Sequence, residues 1–153
     1  MAGREGDSEI VDVSSLEPKI QELIKTSVEA RKLAYCPYSK FQVGAALLSD
    51  ENEPVMYTGC NVENVAYGMT ICAERTAIVK AVSDGKQKFK AIAVAADNSV
   101  QDKFTSPCGT CRQFIIEFGS DVDVYLTKPG SSNVLVTTIE SLLPLSFRST
   151  FGH

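Results

Sequence analysis

The sequence predicts a three-layer α/β/α domain built on a five-stranded mixed sheet. Three observations carry that prediction. Helical and strand-like hydrophobic periods alternate along most of the chain. The run AIAVAA at 91–96 is apolar throughout, which suits a central strand covered on both faces. The length, 153 residues, suffices for one core and leaves little room for a second.

Each element has its own signal. Ser14 and Glu17 stand at capping-box spacing ahead of Leu16, Ile20, Leu23, Ile24, Val28 and Leu33, so a helix is expected over roughly 15–35. Pro37 stops it, in the loop Cys36-Pro37-Tyr38-Ser39-Lys40. FQVGAALLS (41–49) and VMYTGC (55–60) read as two strands of a hairpin around an Asp-Glu-Asn-Glu-Pro turn. Residues 72–84 resume the helical period and stop at Asp84-Gly85. After the central strand, Ser106-Pro107 is a good helix start, with Ser as cap and Pro in the first turn, and Gly119 closes that helix. VDVYL (122–126) and VLVTT (134–138) are further strands, and a short helix over 139–143 ends the series. Residues 1–14 are polar and read as a flexible tail, leaving 15–153 as one catalytic domain.

Composition excludes several classes. A hydrophobic share of 44% rules out a disordered chain, and five cysteines in 153 residues are too few for a disulfide-dense scaffold. A net charge of -4 without a basic run speaks against binding nucleic acid. No stretch reaches the roughly 20 apolar residues that cross a bilayer, so no membrane partner is expected. The acidic, polar start resembles neither a signal nor a transit peptide, which leaves a cytoplasmic address by default. Five cysteines against a single histidine, His153, then suggest thiols that are buried, catalytic or metal-bound.

The chemistry concentrates in Cys72-Ala73-Glu74-Arg75 and Pro107-Cys108-Gly109-Thr110-Cys111-Arg112. Cys108 and Cys111 form a C-x-x-C at a helix start, so their sulfurs share one face and can grip one ion. A redox pair or two buried thiols would have the same spacing. Cys72 opens a second helix, where the dipole favours the thiolate that a metal requires. Three thiolates with one open position suit a catalytic zinc; a fourth ligand from Cys36 or Cys60 would make a structural site. Glu74, two residues beyond Cys72, is close enough to exchange protons with an activated water, although a first-turn glutamate also simply complements a helix dipole.

These segments resemble the zinc deaminase signature, a class of known mechanism. The closer resemblance is to the small, homotetrameric cytidine deaminases that act on free nucleosides. It runs from about Tyr35 to Phe147 through Tyr35-Cys36-Pro37-Tyr38-Ser39, Val43-Gly44-Ala45-Ala46-Leu47, Gly59-Cys60-Asn61-Val62-Glu63-Asn64, Ile71 to Ala77 and Ser106 to Gln113. The resemblance implies Zn²⁺, one per subunit, on Cys72, Cys108 and Cys111, with Glu74 as the proton shuttle. It implies that Arg75 and Arg112 donate to the sulfurs and offset the charge excess of three thiolates. Asn61 and Glu63 would hold the sugar 3′-hydroxyl, Phe41 would stack on the base, and Ala73, Cys108 and Ser106 would meet the base edge. Phe147 would reach a neighbouring subunit's pocket, with Phe151 as a competitor, and Tyr67 would join the contacts between subunits. Departures fall at Gly68-Met69-Thr70 and after Ser146. Hydrolytic deamination of cytidine and 2′-deoxycytidine is thus the expected activity. A deaminase of a cytosine-containing antibiotic nucleoside shares the metal and Glu motifs, but the Asn61-x-Glu63 sugar contact argues against it. From a different class, a non-catalytic zinc-binding interaction module would not need Glu74 beside an open metal position.

Overall fold

The computed structural model describes residues 8–97 and 103–149; Phe151 and His153 lie outside that range. Among the described residues six strands form one sheet: β1 (Glu9–Asp12), β2 (Val43–Ser49), β3 (Met56–Cys60), β4 (Phe89–Ala96), β5 (Asp123–Thr127) and β6 (Asn133–Thr138). Their order is β1-β6-β5-β4-β2-β3. Only β4 and β5 run parallel, Ile92 facing Val124; the other neighbours are antiparallel. The helices are α1 (Pro18–Arg31), α2 (Ala73–Ser83), α3 (Gly109–Ile116) and α4 (Ile139–Leu142).

The expected apolar run is the central strand. Alternate β4 side chains serve two cores: Ile92 and Val94 pack with α2 and α3, whereas Ala91 and Ala93 pack with Ile20, Leu23 and Ile24 of α1. This alternation makes three layers, α1 on one face and α2, α3 and α4 on the other. Two glycines set how closely the helices seat. A Cβ at Gly44 would run into the backbone of Ser27 and Arg31 in α1. One at Gly59 would overlap the Ala73 carbonyl and the Ala77 amide in α2. Neither residue carries a side chain because helix backbone already occupies that space.

Three expectations need correction. The sheet has six strands and not five, because Glu9–Asp12, inside the segment read as a flexible tail, pairs with β6 from Glu9↔Val136 to Asp12↔Asn133. Its Glu-Ile-Val-Asp sequence is too short and polar to announce a strand, and the pairing is supplied wholly by β6. The Ser14–Glu17 capping box does not form: Ser14 donates its hydroxyl and amide to Asp12, which caps a 3-10 turn at Val13–Ser15, and α1 starts at Pro18. The third helix starts later than expected, at Gly109, and its cap is Cys108 and not Ser106. The Asp84-Gly85 stop agrees with the structure, the Gly85 and Lys86 amides donating back to Val82 and Ala81 as in a Schellman motif.

The sheet's architecture places the relevant loops at one end. There β2 begins beside the finish of β3, Gly44↔Cys60, and of β4, Val43↔Ala96. Beyond β3, Val62 forms isolated bridges with both Tyr35 and Ile71. The loop after α1, the loop after β3 and the residue before Cys72 are thereby tied together.

Candidate metal centre and active site

Cys72 and Cys108 are the N-cap residues of α2 and α3, and neither helix start has a side-chain cap hydrogen bond. Each thiol occupies the position where Ser or Asp would normally accept from the first helical amides. The positive ends of both helices are therefore directed at sulfur. Cys111, one turn into α3, is completely buried and completes the cluster. The three Sγ atoms lie within 4.8 Å of one another, with Cys72 and Cys108 at 4.0 Å. Sulfurs about 2.3 Å from a tetrahedral zinc are separated by roughly 3.8 Å, so the donor set fits that ion. The three supply only sulfur, and Cys108 is exposed, which leaves an open side.

Protonation in the cluster is uneven. The neighbouring Cys111 thiol is the main reason that Cys72 is lowered to about 5, and the Arg75 guanidinium adds to it against the cost of burial. Cys111 is raised in turn, first by the neighbouring Cys72 sulfur, then by burial. A cation is what would release this second proton.

Glu74 follows from the first turn of α2 and is 4% exposed. Burial, with a lesser push from the nearby Cys72 charge, brings its carboxyl up to about 7, while its own backbone amide and the Cys111 thiol oppose the rise. An acid poised near neutrality can both accept and return a proton.

The two arginines part company. Arg75 donates through Nη2 to Cys72 Sγ at 3.4 Å and to the Thr70 carbonyl at 3.3 Å. Arg112, expected to donate to the sulfurs, is instead engaged by oxygens: the Pro107 carbonyl at 2.8 Å, the Leu142 carbonyl at 2.8 Å and the Ser106 hydroxyl at 2.9 Å. Adjacency to Cys111 and the family resemblance suggest the sulfurs, but α3 geometry turns the side chain toward the 106–107 loop and the end of α4. It braces the segment that carries Cys108.

Asn61 is buried, its amide donating to the Phe41 carbonyl at 2.8 Å and accepting from the Val43 amide at 2.8 Å. It clips the entry of β2 to the exit of β3. Glu63 accepts from the Tyr38 and Ser39 amides and from the Ser39 hydroxyl, which holds it below the usual carboxylate range. Glu63 also lines a cavity of ≈ 300 Å³ with Tyr38, Ser39, Tyr67 and Thr70. Phe41 is partly exposed, Ala73 is buried at the start of α2, and Ser106 is exposed. Tyr67 and Phe147 are 74% and 85% exposed, and Tyr67 meets Tyr38 edge-on at 5.9 Å. Sequence reasoning missed three groups that build this site: Ser39, the Thr70 carbonyl, and Gln113, which donates to the Phe147 carbonyl at 2.9 Å. Their roles depend on which partner the folded chain brings to them, a carboxylate 24 residues away for Ser39 and backbone carbonyls for Arg75 and Gln113, which leaves no mark on residue type.

Comparison with known proteins gives this geometry a context. Residues 17–127 match the family described as the cytidine and deoxycytidylate deaminase zinc-binding region. The chain is 52% identical to a cytidine deaminase of Sporosarcina psychrophila over 129 residues, 84% of this chain and 90% of that one. A probable cytidine deaminase of Dictyostelium discoideum is 47% identical over 84% of this chain and 83% of its own. Among solved structures, a cytidine deaminase from Burkholderia pseudomallei superposes with a TM-score of 0.77 at 41% identity, covering 86% of this chain and all of that one.

Proposed function

Since the chain belongs to the cytidine and deoxycytidylate deaminase zinc-binding family, we propose that it hydrolyses cytidine and 2′-deoxycytidine to uridine and 2′-deoxyuridine with release of ammonia. The observation that carries this reading is a buried carboxyl, Glu74, two residues from a thiol of a three-cysteine cluster.

Cys72, Cys108 and Cys111 hold one zinc per subunit, which when bound supplies Lewis-acid activation of a water nucleophile. The chain's own groups do the rest. Glu74 takes a proton from the attacking water on a carboxylate oxygen, returns it to ring N3, and then carries a second to the departing amine. Water adds across C4, the C4–N bond breaks, and atoms balance as uridine and ammonia. Arg75 offsets thiolate charge through its bond to Cys72. Asn61 and Glu63 receive the sugar 3′-hydroxyl, Phe41 stacks on the base, and Ala73, Cys108 and Ser106 meet its polar edge. The 15–153 segment acts together with β1 as one catalytic domain.

A homotetramer with shared sites belongs to the same reading, supported by apolar side chains left exposed around the loops: Tyr35, Val62, Val65, Tyr67, Met69 and Phe147. Phe147 and Tyr67 would complete a neighbour's pocket. An address in the cytoplasm and a part in pyrimidine salvage complete the proposal; among the described residues no helix is long and apolar enough to cross a membrane.

Purified, zinc-loaded protein should deplete the ultraviolet absorbance of cytidine while releasing one ammonia per turnover. Glu74→Gln should keep about one zinc per chain yet lose more than the 10²–10⁴ usual for a general acid–base group. An active Glu74→Gln variant would remove the proton-shuttle assignment.

A further inference from the structure

We propose that Ser39 is a positioning residue that fixes Glu63 in the orientation in which it receives the 3′-hydroxyl of the substrate sugar. The inference rests on the deaminase reading and on the sugar contact given to Glu63 above.

Glu63 does not stand free. Its Oε2 accepts from the Tyr38 amide at 2.9 Å, the Ser39 amide is shared between Oε1 at 3.3 Å and Oε2 at 3.2 Å, and the Ser39 hydroxyl donates to Oε1. Three donors from a single loop make four contacts, two on each oxygen, so the carboxylate is held in one orientation. That loop is itself braced. The Tyr35 amide donates to the Asn61 carbonyl at 3.0 Å, the Glu63 amide to the Tyr35 carbonyl at 2.8 Å, and the Lys40 amide to the Cys36 carbonyl at 3.1 Å. Lys40 adopts φ 59, a turn that returns the chain so that the Phe41 amide meets the Ser39 hydroxyl at 3.1 Å. The hydroxyl thus accepts from Phe41 and donates to Glu63, joining the base-stacking residue to the sugar-binding one. The carboxylate lines the ≈ 300 Å³ cavity walled by Tyr38, Tyr67 and Thr70, so a ligand in that cavity meets it. Thr70 connects the same wall to the metal cluster, because its carbonyl accepts from Arg75.

Two substrates that differ only in the 3′-hydroxyl isolate this role: 2′-deoxycytidine and 2′,3′-dideoxycytidine. In Ser39→Ala, KM for 2′-deoxycytidine should rise about tenfold, the scale of one charge-assisted hydrogen bond, with kcat little changed. Kinetics with 2′,3′-dideoxycytidine should match the wild type, and Ser39→Thr, which keeps the hydroxyl, should restore the lost affinity. Equal losses on both substrates would mean that Ser39 merely folds its loop, and no loss on either would mean that it does nothing for Glu63; each result overturns the inference alone. A wild-type enzyme that turns over neither substrate, or both alike, would remove the underlying deaminase or sugar-contact reading, and this inference with it.

Discussion

At the scale of single residues, the metal centre separates two arginines that sequence treats alike. Arg75 and Arg112 each follow closely on a cysteine ligand, yet only Arg75 donates to a ligand sulfur, while Arg112 spends its donors on three oxygens. Their removal should therefore differ in kind. Arg75→Ala should weaken zinc affinity by about 10–100-fold, the usual cost of losing a partner of a metal ligand. Arg112→Ala should leave zinc affinity near wild type and lower stability by about 2 kcal/mol, from unpaired partners of a partly buried cation. Competition with a calibrated chelator, together with denaturant melts, would decide. Equal zinc loss in both would restore Arg112 to the metal's charge balance. The three cysteines and Glu74 were legible as residue types at fixed spacing. Ser39 was not, because what matters is that its hydroxyl and amide meet a carboxylate 24 positions away.

At the scale of elements, α2 and α1 grip opposite faces of the same hairpin through Gly59 and Gly44. Adding a methyl to either should cost about 1–3 kcal/mol by overpacking against backbone, which cannot rotate away. The functional consequences should diverge. Gly59→Ala displaces the first turn of α2, which starts at Ala73 directly after the ligand Cys72, so zinc stoichiometry should fall as well as stability. Gly44→Ala presses on α1 across the sheet, on the face without cysteine ligands, and should lower the melting temperature while zinc-loaded protein still binds one ion. Metal analysis beside calorimetry tests this; retained zinc in Gly59→Ala would show that α2 relaxes without moving Cys72. Helix α2 and strand β4 were readable from periodicity because their own residues bury one or both faces. Strand β1 was not, because four mostly exposed residues become a strand only when β6 offers its edge.

At the scale of the whole molecule, one chain leaves a band of aromatic and aliphatic side chains beside its own site. Leu145 is fully exposed with φ 53, and Phe147 follows with only its carbonyl held, by Gln113. Apolar surface of this extent fits the proposed self-assembly. Light scattering should return four times the 16.6 kDa chain mass, and Tyr67→Glu should lower both the mass and the turnover. A fully active monomer would refute the shared-site arrangement. What the amino-acid sequence determined by itself was chemistry: three thiols, one carboxyl, the α/β/α layering and the family, since these depend on residue type and local period. What only tertiary structure decided was assignment: which arginine meets sulfur, which loop holds Glu63, and that the sixth strand exists. The physical reason is common to all three, because hydrogen bonds to backbone groups and to strand edges are set by where the chain passes and not by which side chains it carries.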